Sequence, residues 1–147
     1  MAWITPAESD VLTVLSETEL ATYRAAALAS GQTDPLAPTL AQVVDLVRGY
    51  VGAYRPNTLG VPGTIPQKLL APALDIVAVR LPQRVGVSPK EVRQQAATSA
   101  VRLLERVAAG EFNIEEPDEA TPEITSAPTP TITAHHPRFS WREEEGI

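Results

Sequence analysis

DPLAPTLAQVVDLVRGYVGAYRP, residues 34–56, is the stretch that fixes the fold class. Leu36, Leu40, Val43, Val44, Val47, Tyr50, Val51 and Tyr54 recur every three or four residues. That period lays one wide apolar stripe along a helix of about twenty residues. Gln42, Asp45, Arg48 and Arg55 fall on the other faces. Asp34-Pro35 opens the segment and Pro56 ends it, because proline supplies no backbone donor to continue a helix.

Similar punctuation surrounds this helix on both sides. Thr5-Pro6-Ala7-Glu8 predicts an N-cap, a first-position proline and a capping-box glutamate for a short helix over residues 6–15. Ser16-Glu17-Thr18-Glu19 repeats the box at once, with Leu20, Tyr23, Ala27 and Leu28 at helical spacing and Gly31 as the stop. Downstream, NTLGVPGTIP (residues 57–66) reads as an interhelical loop, since it lacks the glycine spacing of a phosphate-binding loop. A fourth helix starts near Pro66 with Leu69, Leu70, Leu74, Val77 and Leu81 inward. Pro72 falls early enough to be tolerated or to kink it, and Pro82 is expected to close it. Ser88-Pro89-Lys90-Glu91 launches a fifth, whose expected apolar face is Val92, Ala96, Ala100, Leu103, Leu104 and Val107, with Gly110 as its stop. No stretch alternates with period two between turn signals. The expectation is an all-α fold, a small bundle of about five helices.

After Ile114 the composition changes, dividing the chain into a helical domain over residues 1–114 and an arm over 115–147. EEPDEATPEITSAPTPTITA is acidic, rich in Pro and Thr, and nearly free of large apolar groups, so an extended C-terminal arm is expected. Residues 1–110 carry ten Lys/Arg against nine Asp/Glu, whereas residues 111–147 carry two Arg against nine Asp/Glu. A near-neutral body with an acidic arm lacks the clustered cations that neutralise nucleic-acid phosphates. The chain has no cysteine, which excludes disulfides and thiolate chemistry. No apolar run approaches the roughly 20 residues that span a bilayer. The opening MAWITPAESD lacks the basic and apolar regions of a signal peptide, so a soluble chain made in the cytoplasm is expected.

The search for chemistry yields little. His135 and His136 are adjacent in the arm, and neighbours on an extended chain point apart, so they chelate one ion poorly. Glu8, Glu17 and Glu19 sit where helix N-termini favour negative charge. Asp45 and Asp75 are assigned to solvated faces. No enzyme, metal or cofactor is expected. Lys90, Arg93, Arg102 and Arg106 line the fifth helix. They read as a salt-bridged solvated face around Glu105 or as contacts to an acidic neighbouring subunit.

The end of the arm, TAHHPRFSWREEEGI, is different. Phe139 and Trp141 are two apart and share one side of an extended strand, and Pro137, Arg138 and Arg142 flank them. Aromatics and arginine dominate binding hot spots, so residues 137–142 are the candidate docking peptide. The 33 residues from Glu115 onward span on the order of 100 Å when extended. A body of this size has a radius of gyration of about 13 Å. Such an arm crosses a neighbouring subunit, and many arms in a ring would act multivalently.

Taken in order, MAWITPAESDVLTVLSETEL, QVVDLVRGYVGAYRPNTLG, IPQKLLAPALDIVAVRL, ATSAVRLLERVAAGEFNI and HPRFSWREEEGI cover nearly the whole chain. The set resembles the Mu-like phage and prophage family of short helical proteins encoded in head–tail gene clusters. The resemblance implies a structural virion protein at the neck, a head-to-tail connector (adaptor). Such adaptors form a ring, typically of twelve copies, beneath the portal protein and extend the DNA channel without reading its sequence. Their C-terminal arms embed in the portal, which places Pro137, Arg138, Phe139 and Trp141 at that contact. The close Glu143-Glu144-Glu145 departs from the family's usual basic or apolar ending. Acidic charge beside a conduit also keeps DNA from adhering. The alternatives are a stopper or tail-completion protein of the same neck, or a cytoplasmic helical binding module.

Overall fold

The computed structural model describes residues 3–118. Five α-helices follow in order: α1 (Glu8–Val11), α2 (Glu17–Ala29), α3 (Leu36–Ala53), α4 (Leu70–Arg84) and α5 (Glu91–Ala108), with a 3-10 turn at Gln67–Leu69 leading into α4. The fold is all-α. Among the described residues the only strand-like pairing is one isolated antiparallel bridge. In it Ile4 and Ile65 exchange both backbone hydrogen bonds at 2.9 Å.

α4 is the centre of the bundle, packing against α5 along its length and against α3 and α1. Its own sequence explains this: Ala73, Leu74, Ile76, Val77, Ala78 and Leu81 are all buried, so it is apolar around most of its circumference. α3 delivers its stripe as expected, with Leu36, Val43, Val44, Val47 and Val51 buried. α5 is thinner in apolar residues and closes the core with Ala100, Leu104 and Val107. Burying a Leu or Val side chain contributes roughly 1.5–3 kcal/mol. This shared seam is therefore the main source of stability.

The capping signals resolve unevenly. The Ser16 box forms in full: Glu19 N–H donates to Ser16 Oγ at 3.2 Å and Ser16 N–H donates to Glu19 Oε2 at 3.1 Å. The Thr5 box does not form. The Ile4–Ile65 bridge draws the chain out straight, Pro6 is buried before the helix, and α1 is one turn capped at Ala7. There Asp10, not Glu8, returns to the cap, accepting from Ala7 N–H at 2.8 Å. The Ser88 box also fails, because the helical bonding of α5 begins two residues later. Arg93 and Gln94 N–H both donate to Lys90 O, so Lys90 is the N-cap.

Two prolines behave differently. Pro72 falls in the first turn of α4, where its missing N–H costs nothing. Pro82 does not close α4, which continues to Arg84. Proline removes only its own donor; Val85 and Val87 N–H still bond Pro82 O, and the ring is buried. Two residues assigned inward point out. Leu28 is 69% exposed where α2 runs past the core, and Val92 is 76% exposed in the first turn of α5.

Candidate functional site

Three places on the body bear on function: the junction where the arm leaves, the ion pair at the start of α5, and a dent beside it.

The junction gathers the two ends of the described chain. Trp3 is buried, and its indole N–H donates to Glu115 O at 2.8 Å. The Arg48 guanidinium lies 5.7 Å from the Trp3 ring centroid, a cation–π distance. Arg48 also holds the loop: its two terminal nitrogens donate to the carbonyls of Gly60, Val61 and Thr64 at 2.7–3.0 Å. Gly60 is needed for this closure, since a Cβ there would come within 2.9 Å of the Trp3 ring and 3.0 Å of Pro117. Glu115 is fastened a second time, its side chain accepting from Lys68 N–H at 3.4 Å with Lys68 Nζ at 3.9 Å. Gly110 sets the direction of approach: its positive φ of 78° ends α5, and a Cβ there would collide with the Tyr54 ring. The first residues assigned to the arm, 115–117, therefore lie against the body.

At the start of α5, Arg93 makes a two-pronged pair with Glu19, at 2.9 and 3.2 Å, and donates to Val14 O at 3.4 Å. Lys90 Nζ stands 3.8 Å from the same carboxylate. Hydrogen bonds from Arg93 and then from the Ser16 backbone N–H hold the Glu19 pKa down at about 2. The same pairing raises that of Arg93. A second clamp, Arg24, joins three elements by pairing with Glu8 of α1 at 2.9 Å and with Asp34 before α3 at 3.1 Å.

Beside Arg93 opens a dent of about 220 Å³ lined by Val14, Asp75, Ala78, Val92, Arg93 and Ala96. This is smaller than the roughly 300–1,000 Å³ of small-molecule sites. Asp75 projects from the second turn of α4, and its carboxylate makes no hydrogen bond or ion pair among the described residues. Burial alone pushes its pKa up. The dent is thus an apolar cup with one solvent-accessible carboxylate, bordered by a guanidinium already held in place by Glu19. Asp75 was assigned to a solvated face; it is half-buried instead.

The cationic residues of α5 divide. Arg93 is taken up inside the fold. Arg106 lies 3.6 Å from Glu111, beyond the helix end, rather than pairing along the helix with Glu105. Arg102 is exposed, makes no ion pair among the described residues, and borders a shallow polar groove with Glu91, Gln94 and Thr98. The docking peptide, Pro137, Arg138, Phe139, Trp141 and Arg142, lies outside the described residues, as do His135 and His136. Among the described residues no cluster of acidic or histidine side chains is placed to hold a metal ion. No described helix is long and apolar enough to cross a membrane. Comparison with protein families, with curated proteins and with solved structures finds no match to this chain.

Sequence reasoning passed over Trp3, Arg48, Glu115 and the dent at Asp75. An aromatic at position 3, ahead of any helix, is a usable signal that the N-terminus is stitched into the body. Arg48 carried no signal, since its helix position reads as solvated and its acceptors are loop carbonyls 12–16 residues away.

Proposed function

We propose that this chain is a structural assembly subunit: a helical body that presents a C-terminal docking arm. More specifically, it is a head-to-tail connector (adaptor) of a tailed phage. In this reading copies form a ring beneath the portal, typically of twelve, and extend the DNA channel. The arm docks on the portal or on a neighbouring subunit, and a stopper or tail-completion protein binds the other side of the ring. The neck assignment rests on the resemblance of the ordered motifs.

The observation that carries the arm reading is the double fastening of Glu115. A tether that starts from a fixed point on the body defines the range over which its hot spot can reach a partner. Trp3, Lys68 and Gly60 provide that point by holding the backbone at 115–117 against the body. The tether from there to Phe139 and Trp141 is long enough to cross to a second molecule.

Native mass measurement of the full chain mixed with the portal tests this. A discrete complex with many copies of the chain is expected. A one-to-one complex with an unrelated cytosolic protein in place of the portal would overturn it. Deleting residues 133–147 leaves helicity by circular dichroism unchanged and abolishes portal binding. Phe139→Ala and Trp141→Ala each weaken binding by about 2 kcal/mol. Unchanged affinity in the truncated chain would remove the docking role.

A further inference from the structure

An occupant that fits the dent at Asp75 would have three properties. It must be apolar enough to cover Val14, Ala78, Val92 and Ala96, it must bring a hydrogen-bond donor to the carboxylate, and it must sit beside the Arg93 guanidinium. An indole meets all three, since it combines a flat apolar body with a single N–H donor. The chain already shows this arrangement once. Trp3 is buried with its N–H on the Glu115 carbonyl and the Arg48 guanidinium over its face. The dent offers a second such set of apolar wall, oxygen acceptor and fixed guanidinium, without the indole.

The sequence contains two tryptophans, and Trp141 is the other. We propose that the Asp75 dent is the seat for Trp141 of a neighbouring copy of this chain, with its indole N–H donating to the Asp75 carboxylate. Charge favours the match, because Arg138 and Arg142 flank Trp141 and would approach a half-buried carboxylate that makes no ion pair among the described residues. Phe139 lacks the donor. Length permits it: the 23 residues from Asp118 to Trp141 span up to about 76 Å. That far exceeds the body's radius of about 13 Å. A tether with Pro122, Pro128 and Pro130 and the acidic Glu119 and Glu123 favours long spans over a return to its own body. This seat rests on the reading of the chain as a self-assembling subunit, and it specifies what the arm grips on its neighbour.

The native chain has no cysteine, which makes a clean test possible. Full-length Ala96→Cys, on the dent wall, and full-length Ser140→Cys, beside Trp141, are mixed in the assembled complex with the portal under mild oxidation. A disulfide-linked pair of the two variants is expected. Its rate of formation should fall about tenfold or more on adding Trp141→Ala to the second chain or Asp75→Lys to the first. Asp75→Asn, which keeps shape and removes charge, should give a smaller loss. Cross-linking no faster than that of a Gln42→Cys control on α3 would overturn the proposal. So would an internally linked monomer from the chain carrying both cysteines, or indifference to Trp141→Ala. If the complex with the portal forms and only the cross-link fails, the seat is wrong and the connector reading stands. If no multi-copy complex forms, both fall.

Discussion

Glu19 and Asp75 stand on either side of Arg93, and the fold treats the two carboxylates in opposite ways. Glu19 takes both prongs of the guanidinium and the Ser16 cap, so its charge is stabilised and its pKa falls to about 2. Asp75 faces the same first turns of α5 across a dent, gains no bond, and has its pKa raised by burial. One region is saturated, and its chemistry is spent on holding α2 to α5. The other is left open by the same arginine. A half-buried charge without a partner in the chain is desolvated at some cost, which a donor brought to it would offset.

The largest effect should come from removing the shared residue. Arg93→Ala strips Glu19 of two charge-assisted bonds and Val14 O of its donor, and should destabilise the body by about 2 kcal/mol in urea unfolding. Asp75→Ala should cost far less. Equal losses in the two variants would erase the distinction between a spent and an open site. Glu19→Gln is the intermediate case. A glutamine keeps the capping box but surrenders the ion pair, so a loss of about 1 kcal/mol is expected.

The same contrast shows how far the residues alone could be read. The stripe on α3, the Ser16 box, the Gly110 stop and the all-α class were legible because they depend on neighbours three or four residues apart. Where distant chain intervenes, legibility ends. Thr5 lost its cap because Ile65, sixty residues away, holds Ile4 extended. Val92 fell on the predicted apolar face but borders the dent, since the buried face of α5 consists of Ala100, Leu104 and Val107. The pairing of Glu19 with Arg93 joins positions 74 apart and left no local trace, although the capping role of Glu19 did. Trp3 and Glu115 meet across 112 residues, so the anchoring of the arm was invisible while its composition was plain.

Acid titration separates the two carboxylates by sign. A depressed pKa means the folded state holds the charged form more tightly than the unfolded chain does. The Glu19 contribution is therefore complete above its unfolded pKa near 4.5 and is lost as pH falls through about 2. Asp75 runs the other way. Its raised pKa makes the protonated form the better folded one, so its penalty is present at neutral pH and is relieved as pH falls. Measured by thermal unfolding between pH 6 and 2, Glu19→Gln should flatten the acid loss, whereas Asp75→Asn should steepen it slightly.

Asp75→Asn gives the smallest effect and the sharpest comparison. An amide in the dent keeps the shape of the carboxylate but carries no charge to desolvate. At neutral pH the variant should therefore be no less stable than the native chain, with any gain small because water screens the partly exposed carboxylate. A gain of stability on removing a native charge means that the folded body alone derives nothing from it. If Asp75→Asn instead destabilises the isolated body by about 1 kcal/mol or more, the carboxylate already has a partner within the chain. In that case the dent is a structural pair like the one at Glu19. The sign of a small number thus decides whether the cup beside Arg93 belongs to the fold or to a contact made by it.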